Sequence, residues 1–155
     1  MLLISILLLF QSVENLLDRG FDQYEAGKYE EAIKIFNKAV EIDPLHAESY
    51  YLRGLSYHGL DFTKLAVDDL KKAINLRPSY AEAYQQLGFI YLVGQAPELA
   101  IEAFSNALEL APLVAELYLN RGTAYCMLGD LAKSKKDWNQ ARAMGIDFDE
   151  LMTCE

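Results

Sequence analysis

The chain has 155 residues, 52% of them hydrophobic and 24% charged, a balance that makes a folded domain and excludes a disordered tail or linker. Its 14 Lys and Arg against 23 Asp and Glu leave a net charge of −9, the wrong sign for neutralising phosphates, so nucleic acid is excluded and basic partners are favoured. The two cysteines, Cys126 and Cys154, have no CxxC or Cys/His spacing; they support neither a disulfide framework nor a zinc site, and they allow a reducing compartment.

Residues 2–10 are apolar except for Ser5, and Gln11, Ser12 and Glu14 end the run. So short a run cannot span a bilayer as a helix. A secretory signal would have this length, but no Lys or Arg precedes it and no small-x-small cleavage site follows. Residues 1–12 are therefore set apart as a signal or membrane anchor, as a helix extension that packs on the fold or pairs with a second copy, or as a gene-boundary artefact. A cytoplasmic location is favoured over a membrane-associated or secretory one.

From Val13 onward the chain repeats. Pro44, Pro78 and Pro112 are evenly spaced, and Gly20, Gly54, Gly88 and Gly122 keep the same interval, as do Ala39, Ala73, Ala107 and Ala141. Ala32, Ala66 and Ala100 form a further ladder that Ser134 completes. A period of about 34 residues marks a solenoid, in which each unit is too small to bury its own apolar face and stacks on the next. Four units follow, 13–46, 47–80, 81–114 and 115–148, with an acidic tail at 149–155.

Each unit reads as two antiparallel helices. In the third, Tyr84, Leu87, Gly88 and Tyr91 fall at i, i+3, i+4 and i+7, a single helical stripe. Gly94, Gln95 and Ala96 interrupt it, and Pro97 opens a second helix where its missing N–H costs nothing. Ala100, Ile101, Phe104, Ala107 and Leu108 supply the second stripe, and Pro112 stops it. Gly88 and Ala100 are the expected crossing pair of the two helices.

The pattern Tyr84-x2-Leu87-Gly88-x2-Tyr91, then Ala100-x3-Phe104 and Pro112, resembles the tetratricopeptide (TPR) repeat. The likeness covers residues 13–148. The fourth unit departs most, with Ser134, Trp138 and Ile146 in place of Ala, Tyr or Phe, and Pro. The fold class expected is all-α, an α-solenoid of eight helices.

Ile33, Val67 and Ile101 share one repeat position and Val40, Ile74 and Leu108 another, whereas the fourth unit has Lys135 and Arg142 there. Charge on a stacking face is how a terminal repeat stays soluble, so the array is expected to cap itself at the fourth unit. Against this, Glu150 and Met152 are in register for a fifth first helix.

In the TPR family the first helices line a concave groove, and the resemblance carries its positions onto this chain. They are Glu14, Leu17, Asp18, Phe21, Tyr24 and Glu25 in the first unit and Glu48, Tyr51, Leu52, Leu55, His58 and Gly59 in the second. The third unit gives Glu82, Gln85, Gln86, Phe89, Leu92 and Val93, and the fourth Glu116, Leu119, Asn120, Thr123, Cys126 and Met127. No Lys or Arg is among them, and a glutamate heads each set: Glu14, Glu48, Glu82, Glu116. Family members that clamp a chaperone's C-terminal carboxylate use Lys, Arg and Asn on this face. The matching places here hold Leu17, Phe21, Leu52, Glu82 and Gln86, which argues against that clamp. The expected partner is a peptide or amphipathic helix with apolar anchors and basic flanks. Glutamate in a helix's first turn also favours the macrodipole, whatever the groove binds.

No catalytic constellation, phosphate-binding glycine loop or metal-ligand spacing is present, so no enzyme activity and no cofactor are expected. Cys126 reads as a small, partly buried apolar residue rather than a nucleophile.

Overall fold

The computed structural model describes residues 2–147 and Cys154, with the backbone alone for residues 2–12, and the described elements are all helices. The chain divides into two units, Met1–Pro78 and Ser79–Glu155. The first holds α1 (Leu2–Glu25), α2 (Tyr29–Ile42), α3 (Ala47–Gly59) and α4 (Thr63–Leu76), the second α5 (Ala81–Val93), α6 (Pro97–Leu110), α7 (Ala115–Met127) and α8 (Leu131–Ala143). Within each unit successive helices pack as antiparallel neighbours, and the two first helices, α1 with α3 and α5 with α7, also touch. This is the all-α, TPR-like solenoid architecture.

The antiparallel pairs are set by one turn used four times. Its central residue is left-handed in every repeat: Gly27 (φ 71°), Asp61 (φ 60°), Gln95 (φ 56°) and Gly129 (φ 73°). The residue after it donates its N–H to a carbonyl five residues back, Lys28 to Gln23, Phe62 to Tyr57, Ala96 to Tyr91 (each 2.9 Å) and Asp130 to Tyr125 (3.0 Å). That bond satisfies a carbonyl the helix end leaves open and stops the first helix within one turn. Only Gly adopts this conformation without a steric cost, so the second and third repeats carry strain at Asp61 and Gln95.

The second helices supply most of the core. Ala32, Phe36 and Ala39 of α2 are fully buried with Val13 and Leu17 of α1 and Leu52 of α3. In the second unit Ala100, Phe104 and Ala107 of α6 are fully buried beside Leu108, Leu117 and Ala124. Removing each of these phenylalanine rings from water is worth about 2–3 kcal/mol. Beside the expected crossing pair of Gly88 and Ala100, the nearest neighbour of a Cβ at Gly88 would be the ring of Phe104, 2.7 Å away. Phe36 and Trp138 cover Gly20 and Gly122 in the same way, whereas Gly54 faces the Ala66 carbonyl oxygen at 3.3 Å. The ladder glycines admit an aromatic ring in three repeats, and the backbone of the second helix comes as close at Gly54 and Gly122.

α1 runs unbroken from Leu2, so residues 2–12 continue the first helix of the first repeat. Lys135 and Arg142 are exposed on α8. Glu150 and Met152, and with them the register of a fifth helix, lie outside the described residues.

Candidate functional site

The expected groove residues separate by burial. On α1, Phe21 is 40% exposed and stacks on Tyr24, ring centroids 6.0 Å apart, while Tyr24 also meets Tyr29 at 5.5 Å. Burial, then the neighbouring Tyr29 and Glu25, push the Tyr24 phenol above its ordinary pKa, so it keeps its proton at neutral pH. Tyr51 and Leu55 of α3 are half-buried against the core, and His58 is half-buried at the end of the same helix. Glu14 and Asp18 are exposed and Glu48 half-buried.

Two expectations fail in this unit. Leu17 and Leu52 are 5% and 7% exposed and belong to the core beside Phe36. They sit on the side of their helices that closes the seam between α1, α2 and α3, so they position the face without being available to a ligand.

In the second unit Phe89 and Val93, one turn apart on α5, are 40% and 63% exposed, with Gln85 and Leu92 half-buried beside them. Phe89 occupies the same repeat position as Phe21, two repeats earlier, at the same exposure. On α7, Leu119 and Asn120 are half-buried, and the Thr123 hydroxyl is already committed, donating to the Leu119 carbonyl at 3.0 Å. Glu82 and Glu116 are exposed.

Cys126 requires a correction. It is joined to Cys154 in a disulfide, Cα atoms 5.3 Å apart, and no cysteine is free. Local thiol motifs miss such a pair because the helical repeat returns the chain near its own path, which places partners 28 residues apart within reach.

The best-built polar arrangement was not expected from the repeat pattern. Arg53 of α3 makes a bidentate pair with Asp69 of α4, Nε to Oδ2 at 2.7 Å and Nη2 to Oδ1 at 2.8 Å, and its Nη1 donates to Asn37 Oδ1 of α2 at 2.8 Å. Arg121 of α7 repeats this in the second unit, with Asp137 of α8 at 2.7 and 2.9 Å and Ser105 of α6 at 3.1 Å. One guanidinium thus ties three consecutive helices in each unit. Both lie over tyrosines, Arg53 at 5.4 Å from the Tyr50 centroid and Arg121 at 5.8 Å from that of Tyr118. The hydrogen bonds that the guanidinium groups donate to Asp69 and Asp137 outweigh burial and raise both arginine pKa values. The signal was an Arg followed 16 residues later by an Asp, recurring at twice the repeat period. Two tyrosine hydrogen bonds are likewise two repeats apart: Tyr50 donates to the Pro44 carbonyl at 3.1 Å and Tyr118 to that of Pro112 at 3.2 Å.

Two surface clefts lie elsewhere, one lined by Arg19, Asp22, Gln23, Glu31, Lys34 and Ile35, the other by Tyr118, Arg121, Lys136, Asp137 and Gln140. Both mix charges of either sign, and neither contains an expected groove residue. Among the described residues no group of His, Cys, Asp or Glu is placed to hold a metal ion, and no helix is long and apolar enough to cross a membrane.

Paired helices in tandem, turned by one shared motif and presenting partly exposed aromatic residues on their first helices, define a protein-interaction scaffold of the helical-repeat class. Family profiles described as "TPR repeat" match residues 22–61, and those described as "Tetratricopeptide repeat" match 47–80 and 90–143; the chain belongs to the tetratricopeptide repeat family. A crystal structure of MamA is 32% identical, covers 85% of this chain and 77% of its own, and superposes with a TM-score of 0.81. The first TPR domain of Spaghetti (RPAP3), bound to the HSP90 peptide SRMEEVD, is 28% identical over 77% of this chain and 97% of its own, with a TM-score of 0.74. A thermophilic TPR protein from Thermus thermophilus is 25% identical over 86% of this chain and 74% of its own, with a TM-score of 0.71. No curated protein matches the chain.

Proposed function

We propose that this chain is a non-catalytic module that binds a peptide or amphipathic helix on the faces of its first helices, through apolar anchors flanked by Lys or Arg. The observation that carries the reading is Phe89 with Val93 one turn away on α5, both well exposed, with Glu82 of the same helix and Glu116 of α7 exposed as well. Phe21, Tyr24, Tyr51 and Leu55 offer an equivalent surface in the first unit, where Glu14 and Asp18 of α1 are exposed. Apolar side chains left open on a rigid helix gain by being covered, and carboxylates beside them select a cationic ligand over an anionic one. Leu119 and Asn120 add contacts, while Leu17 and Leu52 only shape the face.

The likeness to a TPR domain holding SRMEEVD supports peptide binding in general. That peptide ends in acidic residues and a carboxylate, and the groove positions here carry no Lys or Arg to receive them. Fluorescence anisotropy with labelled peptides of one apolar pattern and net charge varied from negative to positive, with SRMEEVD as the acidic probe, tests the reading. Affinity rising with positive charge supports it; a preference for SRMEEVD or the acidic peptides refutes it.

A second reading rests on α1, which begins at Leu2, well ahead of the first repeat at Val13. With residues 2–10 almost wholly apolar, that extension would insert into a membrane interface or pair with a second copy, and the repeats would be displayed from it. Light scattering of the full chain and of the chain lacking residues 1–12, with and without liposomes, decides this. A full chain that is monomeric and indifferent to lipid removes the reading.

A further inference from the structure

The disulfide joins Cys126, in the last turn of α7, to Cys154, and the loop so closed contains the whole of α8. Cys154 also lies against α8 itself, its Sγ 3.5 Å from the hydroxyl of Ser134, which is fully buried. Ser134 and Cys154 are 20 residues apart, the same offset as Ala32 and Leu52, which share the core cluster of the first unit. Cys154 therefore lies against the small residue of the last second helix, at the offset that separates Ala32 and Leu52 within the first unit's core cluster. In the first unit α3 packs on α2. Cys154 is joined to α7 by a covalent bond that can be made and unmade.

We propose that Cys126 and Cys154 form a reversible thiol–disulfide site that fastens residue 154 over α8 when oxidised and releases it when reduced. Both residues are half-buried, and Met127 and Leu128 next to Cys126 are 45% and 44% exposed, so a small thiol or disulfide can reach the pair. The oxidant is a low-molecular-weight disulfide of the glutathione class. One cysteine thiolate attacks it, forms a mixed disulfide and expels one thiolate. The second cysteine then attacks the protein sulfur of that mixed disulfide and expels the other. Two S–H bonds are lost from the protein, two electrons pass to the sulfurs of the oxidant, and the two protons leave with its two thiols. With only two cysteines in the chain, no competing intramolecular pairing exists.

The test uses the full chain in glutathione buffers of graded ratio. Alkylation followed by intact mass counts free thiols, and hydrogen exchange follows α8 against α1–α4 as an internal reference. The expected result is that zero thiols convert to two without a populated one-thiol monomer. Exchange in α8 should then quicken by about tenfold or more, as expected for opening a closed loop of this length, while α1–α4 and the helical circular dichroism stay unchanged. Cys154→Ser and Cys126→Ser should each show the fast α8 exchange even in the oxidising buffer. Three results overturn the proposal: both cysteines alkylating in the oxidising buffer, disulfide-linked dimers as the main oxidised product, or α8 exchanging equally in the two states.

Discussion

Replacing Arg121 by Met removes the guanidinium that joins α6, α7 and α8 and keeps most of its hydrocarbon bulk. Asp137 is then left 4% exposed with both carboxylate oxygens stripped of their 2.7 and 2.9 Å partners, and the Ser105 hydroxyl loses its 3.1 Å contact. Breaking a buried pair from one side costs about 3–5 kcal/mol because the remaining charge stays desolvated. The Arg121 side chain is 20% exposed, so some water reaches the gap and the expected loss is about 2–4 kcal/mol. The double variant Arg121→Met/Asp137→Leu leaves no charge behind and should recover to within about 1 kcal/mol of the wild type. Urea unfolding followed by the fluorescence of Trp138, the single tryptophan, reports on this unit because the residue is 8% exposed and lies against Gly122. A single substitution that costs less than about 1 kcal/mol, or a double variant whose loss equals the sum of the two singles, would refute the assignment of this pair as the tie between helices.

Three further substitutions test the turns and the packing. Gly88→Ala places a methyl group 2.7 Å from the fully buried Phe104 ring; overpacking should outweigh the gain in helix propensity and cost about 1–2 kcal/mol in denaturant unfolding, whereas an unchanged midpoint would mean that the ring yields. Gln95→Gly relieves a left-handed residue at φ 56° and should stabilise by about 0.5 kcal/mol, the left-handed strain exceeding the extra freedom glycine gives the unfolded chain; a lower melting temperature would contradict this. The Lys133 ammonium and backbone N–H hold the Asp130 carboxyl below its ordinary pKa at the start of α8. That group is stabilising above the ordinary carboxylate pKa, and its contribution disappears as pH falls through the depressed value. The stability gap between wild type and Asp130→Ala should therefore close on acidification, and a gap constant through the acid range would exclude the link.

The fold was legible because its packing needs recur at a fixed interval: glycine where a ring or a backbone closes in, alanine where helices cross, proline after each second helix in three of the four repeats. The aromatic face was partly legible, with Phe21 and Phe89 standing at one repeat position. Leu17 and Leu52 were misread because a helix position that faces a groove in general is here close enough to the α2 seam to be buried with Phe36. The Arg53 and Arg121 ties escaped notice because the complete pair recurs only at twice the period: the other repeats set Arg19 with Ile35 and Leu87 with Ala103 at the same positions. The disulfide was illegible for a different reason: its spacing has meaning only once the repeat has brought Cys154 against Ser134.

Whether exposed aromatic residues on the first helices hold a cationic peptide is tested most directly by one affinity comparison. A Lys-flanked amphipathic peptide is titrated by isothermal calorimetry into the wild type and into Phe89→Lys, at low and at physiological salt. Binding should weaken with salt in the wild type and fall at least about tenfold in Phe89→Lys, through loss of the apolar anchor and the placing of a like charge beside the ligand's own. Equal affinity of the two proteins, or tighter binding by the lysine variant, would contradict the proposed groove.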